Sequence, residues 1–130
     1  MAKIIQPKNL AKPLANYSQV VETTGGKMVF IAGQTSIDAQ GNLVGKGDIA
    51  AQTRQVMENL KIAVEAAGGA VRDIVKINIF TTDLLNFRQQ TSDIRNEYFS
   101  SDYPTSTLVE ISKLADPDLL VEIEAIAVIG

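Results

Sequence analysis

The chain has no cysteine, no histidine and no tryptophan in 130 residues. Without cysteine there is no disulfide framework and no thiol nucleophile, which suits a reducing compartment. Without histidine the commonest general base near neutral pH and the commonest zinc ligand are both missing, so proton transfer falls to carboxylates, Lys, Tyr or water, and a structural zinc site is excluded. Charge of one sign is also scarce: 15 acidic and 12 basic residues give a net charge of −3, and no run of Lys or Arg exists that could track a phosphate backbone. Nucleic acid is therefore not the expected partner. No apolar run is long enough to span a bilayer, and Met-Ala-Lys-Ile-Ile lacks a signal-peptide arrangement, so a cytoplasmic protein without a membrane partner is expected.

What is present suits one compact domain over residues 1–130, able to bury roughly two thirds of its unfolded surface. Val20–Thr23 and Met28–Ala32 are β-rich runs joined by Gly25-Gly26, a pair able to take the positive φ angles of a tight hairpin. A turn-rich loop, Asp38–Asp48, follows, and Asp48 is placed to cap a helix. From Ile49 to Ala67 the apolar positions Ile49, Val56, Met57, Leu60, Ala63, Val64 and Ala67 recur at helical spacing, with Gln52, Arg54, Glu58 and Lys61 on the other side and Gly68-Gly69 as the stop. Ile74–Thr82 alternates as a strand. A second helix carries Phe87, Gln90, Ile94 and Tyr98 on one stripe, and two strands, Thr107–Ser112 and Leu119–Val128, close the chain around the turn Ala115–Asp118. The fold class is α+β, with a single mixed sheet and both helices on one face.

The last strand is apolar on both faces: Val121, Ile123, Ala125, Ala127 and Ile129 on one, Leu120, Ile126 and Val128 beside Glu122 and Glu124 on the other. A sheet covered by helices on one side only must bury its second apolar side against another subunit, so a homo-oligomer is expected. Glu122 and Glu124 lie roughly 6–7 Å apart along that face. Such a pair can do acid–base work or hold a water; it can equally solvate a sheet rim or pair with a cation across an interface. Asp116 and Asp118 read as turn formers rather than metal ligands, and the glycines form no phosphate-cradling loop.

The segments Asn16-Tyr17-Ser18-Gln19, Phe30–Gln34, Ala51–Leu60, Ala66–Gly68, Asp73–Thr82 and Tyr103–Ala127, with its terminal Val-Glu-Ile-Glu-Ala-Ile-Ala, together resemble the Rid (YjgF/L-PSP) family of small imine and enamine deaminases. The resemblance covers nearly the whole chain. It implies a chorismate-mutase-like subunit of the bacillus type, assembled as a homotrimer with a small-molecule ligand in each intersubunit cleft, and no cofactor. It also implies that Glu122 orients the attacking water and that Tyr17, Gly33, Ser106, Thr107 and Leu108 line the cleft.

One residue departs from the pattern. Where the family's deaminases carry an arginine that grips the substrate carboxylate, this chain has Ser106. A charged hydrogen bond contributes about 1.5–3 kcal/mol and a neutral one about 0.5–1.5, so the usual amino-acid-derived imine loses at least roughly tenfold in affinity. Thr105-Ser106-Thr107 forms either a hydroxyl-rich pocket or a plain strand start. Arg88, Arg95 and Lys113 are the cations that could replace the lost charge, and surface solvation is the plain reading of each. Three functions follow from the resemblance: hydrolysis of an imine or enamine with release of ammonia, non-catalytic metabolite binding, and an endoribonuclease activity that the acidic balance and missing histidine disfavour.

Overall fold

In the computed structural model, which describes residues 2–130, six strands and two long helices follow one another as β1 (Ala2–Ile5), β2 (Val20–Thr23), β3 (Lys27–Gln34), α1 (Ile49–Ala66), β4 (Ile74–Thr81), α2 (Leu84–Tyr98), β5 (Thr105–Glu110) and β6 (Val121–Ile129), with a short 3₁₀ turn Val71–Asp73 before β4. The main sheet is mixed and four-stranded, in the order β3-β6-β4-β5. β6 runs antiparallel to both neighbours, and β4 and β5 are parallel. Chain passage β3-α1-β4-α2-β5 therefore makes two crossovers stepping the same way across the sheet. Crossovers of one hand that step in one direction place both helices on one face, which is the expected α+β layering.

The hairpin expected from Val20–Thr23 to Met28–Ala32 is corrected. β2 pairs antiparallel with β1 in a separate two-stranded sheet, while β3 pairs with β6. Gly25 and Gly26 do adopt positive φ angles of 65° and 82°. They turn the chain between two sheets instead of closing a ladder, because Lys27–Ile31 find their partners on β6.

α1 starts where Asp48 accepts a hydrogen bond from the Ala51 amide at 3.0 Å, and ends with the Gly68 amide bonded back to Glu65. Its core stripe Val56, Met57, Leu60 and Val64 is buried against Val121, Ile123, Ala125 and Ala127 of β6 and Ile77 and Ile79 of β4. Each such side chain contributes about 1.5–3 kcal/mol on burial. In α2 the buried positions are Phe87, Thr91 and Ile94. Gln90, expected on that stripe, is exposed, and Thr91 takes its place with its hydroxyl donating to the Phe87 carbonyl at 2.6 Å. No described helix is long and apolar enough to cross a membrane.

Candidate functional site

Glu122 stands second in β6, on the face away from the helices, where it aligns with Phe80 of β4. It is half-buried, as is Glu124. On its other side β3 carries a bulge between Ile31 and Gln34, which sets Gly33 directly under the carboxylate. A Cβ built on Gly33 would overlap the Glu122 carboxyl and approach its Cγ to 2.9 Å. Only glycine lets the backbone come this close, so Gly33 and Glu122 form one structural unit.

The start of β6 is held from two sides. Gln52, fully buried on α1, donates to the carbonyls of Gly45 at 3.1 Å and Asp118 at 2.8 Å, and its Oε1 accepts from the Leu120 amide at 2.8 Å. Thr81 donates to the Leu120 carbonyl at 2.7 Å. Both groups of Leu120 are thus fixed two residues before Glu122. The placement of Gln52 on the polar side of α1 is therefore corrected: the side chain goes inward because it satisfies three backbone groups at once.

A second cluster lies at β5. Ser18 donates from its hydroxyl to the Tyr103 carbonyl at 2.5 Å and from its amide to the Pro104 carbonyl at 3.1 Å, while Asn16 donates to Asn96 of α2 at 2.8 Å. Half-buried Tyr17 is thereby pinned beside the start of β5. The parallel register pairs Ser106 with Ile77 and Leu108 with Ile79, so both point to the helix side, and Leu108 packs on the core. Thr107 pairs with Asn78 and is exposed on the opposite face. Since Ile111 donates its amide to Thr81, alternation along the ladder turns the amides and carbonyls of Ser106, Leu108 and Glu110 off the free edge of the sheet.

Of the six predicted residues, Gly33 goes with Glu122 and Tyr17 with Ser106 and Leu108, while Thr107 stands exposed on the open face apart from both groups. Val109, Phe80 and Glu122 are in one row, and Ser106 is three residues further along β5. At about 3.3 Å per residue and 4.8 Å per strand, the backbones of Ser106 and Glu122 are roughly 14 Å apart. Their side chains also leave opposite faces of the sheet, so one subunit does not bring them together.

Of the three cations weighed for the missing charge, Arg88 and Lys113 are exposed. Arg95 is half-buried with its guanidinium 5.0 Å from the centre of the Phe87 ring, its Nε has no partner, and burial lowers its pKa from the ordinary arginine value. Reading it as a solvated surface charge is corrected. The sequence carries no signal for this placement, since the Arg54–Glu97 ion pair that turns the neighbouring flank of α2 toward α1 is known only from the structure. A concavity of about 380 Å³ between β1, β2 and the α2–β5 loop contains none of the predicted site residues. No cluster of three acidic, His or Cys residues able to hold a metal occurs among the described residues.

The family model for endoribonuclease L-PSP matches residues 8–129. A RutC family protein of Pyrococcus horikoshii is 41% identical over 127 residues, covering 98% of each chain. The crystal structure of YyfB, a Rid family protein of Yersinia pestis, superposes with a TM-score of 0.89 at 32% identity over 98% of both chains. RidA of an Antarctic Psychrobacter superposes with a TM-score of 0.72 at 34% identity, over 98% of this chain and 99% of that one. With the signature residues of β5 and β6 in their register and the architecture shared from end to end, the chain belongs to the Rid (YjgF/L-PSP) family.

Proposed function

We propose that this protein assembles as a homotrimer, binds a small metabolite in a cleft between neighbouring subunits and hydrolyses an imine, or the imine tautomer of an enamine, with release of ammonia. The observation that carries this reading is the division of the site. Glu122 and Ser106 occupy opposite faces of one sheet, and two such half-sites become one where the open face of one copy meets the β5 edge of another. The open face suits that role, since Met28 and Phe30 are 60% and 70% exposed there. An apolar surface of this kind on a soluble domain marks an interaction site.

In this reading Glu122 accepts a hydrogen bond from a water and takes its proton as the oxygen bonds to the C=N carbon and the π pair moves to nitrogen. The proton is returned to the nitrogen to give the carbinolamine, and Glu122 then takes the hydroxyl proton as the C=O bond forms and delivers it to the nitrogen as the C–N bond breaks, so that ammonia leaves a carbonyl compound. Gly33 keeps the carboxylate at the sheet surface, while Gln52 and Thr81 fix the strand that carries it. Ser106 in place of arginine favours a second reading, saturable metabolite binding without turnover. The acidic balance and the absence of histidine weigh against RNA cleavage.

The test is ammonia release from 2-aminoacrylate generated in situ by a pyridoxal-phosphate dehydratase. The wild type is expected to accelerate release, and Glu122→Gln to lose about 10²–10⁴-fold of that acceleration. No acceleration by the wild type, with binding of the 2-oxo acid intact, would leave the binding reading in its place.

A further inference from the structure

Arg95 is a positive charge that the fold has partly desolvated and left without an acid. Among the described residues its Nε is buried without a hydrogen-bond partner, and the two ion pairs found are Lys46–Asp118 and Arg54–Glu97. A buried donor without an acceptor is costly and rare enough in native structures to need an explanation. Its location supplies one. Glu97 and Tyr98 face α1, bonded to Arg54 and Glu58. Arg95, two residues before Glu97, lies roughly 200° around the helix from it, on the flank away from α1. α1 packs over β3 and β6, so that flank overlooks the free β5 edge.

The level along β5 follows from two hydrogen bonds that fasten α2 against the strand. At one end Glu110 accepts from the Leu84 amide at 3.0 Å; at the other Tyr103 donates its hydroxyl to Asn96 at 3.4 Å. Ser106 is four residues before Glu110, roughly 13 Å along the strand, which at about 1.5 Å per helical residue brings it level with the turn at residues 92–93. Helical side chains lean about one turn toward the N-terminus, so the Arg95 guanidinium, resting near Phe87, falls between the levels of Ser106 and Leu108. Both residues point to the helix side and turn their amides off the sheet edge, as Glu110 does one step further along the strand.

We propose that Arg95 is the anion-holding residue of the ligand cleft, receiving a planar carboxylate between its guanidinium, the Ser106 hydroxyl and the free edge amides of β5. The inference rests on the reading that the ligand binds at the β5 edge. A serine at 106 is then an accommodation: a long cationic side chain there would project from the same side as Arg95 and compete for the same space. The charge has moved from strand to helix, and the ligand class remains a small molecule with a carboxylate next to its reactive carbon. A guanidinium fork matches that group in two hydrogen bonds, which a lysine cannot do.

The experiment is calorimetric titration of the intact oligomer with 2-oxobutyrate, and with 2-butanone as the uncharged counterpart. It compares the wild type, Arg95→Met, Arg95→Lys and Arg95→Met combined with Ser106→Arg, each checked for mass by light scattering. Arg95→Met keeps an apolar stem over Phe87 and is expected to weaken 2-oxobutyrate binding at least tenfold without changing the response to 2-butanone. Arg95→Lys should lie between it and the wild type, and adding Ser106→Arg should recover binding. Unchanged affinity in Arg95→Met, or loss of the oligomer in both Arg95 variants, would overturn the proposal, the second outcome making Arg95 an interface residue. If the wild type neither binds 2-oxobutyrate nor releases ammonia from 2-aminoacrylate, the cleft reading itself falls and takes this one with it.

Discussion

On the helix side of β6, Val121, Ile123 and Ala127 are fully buried, whereas on the other side of the same strand Glu122, Glu124 and Ile126 are only half-covered and the β3 neighbours Met28 and Phe30 stand open. The first face is completed within one chain by α1. The second carries polar chemistry and apolar surface together, and among the described residues it is left largely uncovered, with only Val128 near its end buried. Stability and function are thus divided between alternate residues of one strand.

Changing adjacent residues is the sharpest way to test that division. Glu122→Gln is expected to remove most catalysis while leaving the unfolding free energy nearly unchanged. Its neighbour Ile123→Ala should instead cost about 2–5 kcal/mol in denaturant unfolding, through lost burial and a cavity under α1. Gly33→Ala pushes a methyl into the Glu122 carboxyl, and a misplacement on the order of 1 Å predicts about 10²-fold slower ammonia release. Phe30→Ser on the open face should leave the monomer folded and shift its mass in sedimentation toward the single chain, since an interface loses about 1.5–3 kcal/mol for such a side chain.

The smallest effect belongs to the exposed α1–α2 pair Arg54–Glu97. A hydrogen bond from Arg54 holds the Glu97 carboxyl below its ordinary pKa. Its contribution is complete above the unfolded-state pKa and is lost as pH falls through the folded-state value. Glu97→Gln should therefore differ slightly from the wild type in thermal unfolding at neutral pH and converge with it in acid.

Periodicity made the helices and the central strands legible, because Val56, Leu60 and Val64 or Ile77 and Ile79 repeat at spacings only one geometry satisfies. Strand partners were less legible. Two glycines announce a turn without saying what pairs across it, and the four residues of β1 are too few to show alternation. At the site, Glu122 and its face could be read from the alternating last strand. The side taken by Ser106 could not, since Thr-Ser-Thr-Leu-Val-Glu lacks a clear apolar period and its register is set by β4. Gln52 and Arg95 were misjudged for a related reason: polar side chains turn inward when backbone groups of other segments receive them, as with Gln52, or an aromatic ring two turns back on the same helix does, as with Arg95 over Phe87.

The strand order has a consequence for synthesis. β6, the strand made last, is inserted between β3 and β4, which are made long before it. A growing chain on the ribosome can form α1, α2 and the β4–β5 pair, but both ladders with β6 must wait for its last residues to emerge. Until then β3 and β4 each expose an unpaired edge, the period in which such a chain is most open to aggregation and to chaperones. The β3–β6 pairing spans about a hundred residues of sequence, so it closes the longest loop of any ladder in the sheet.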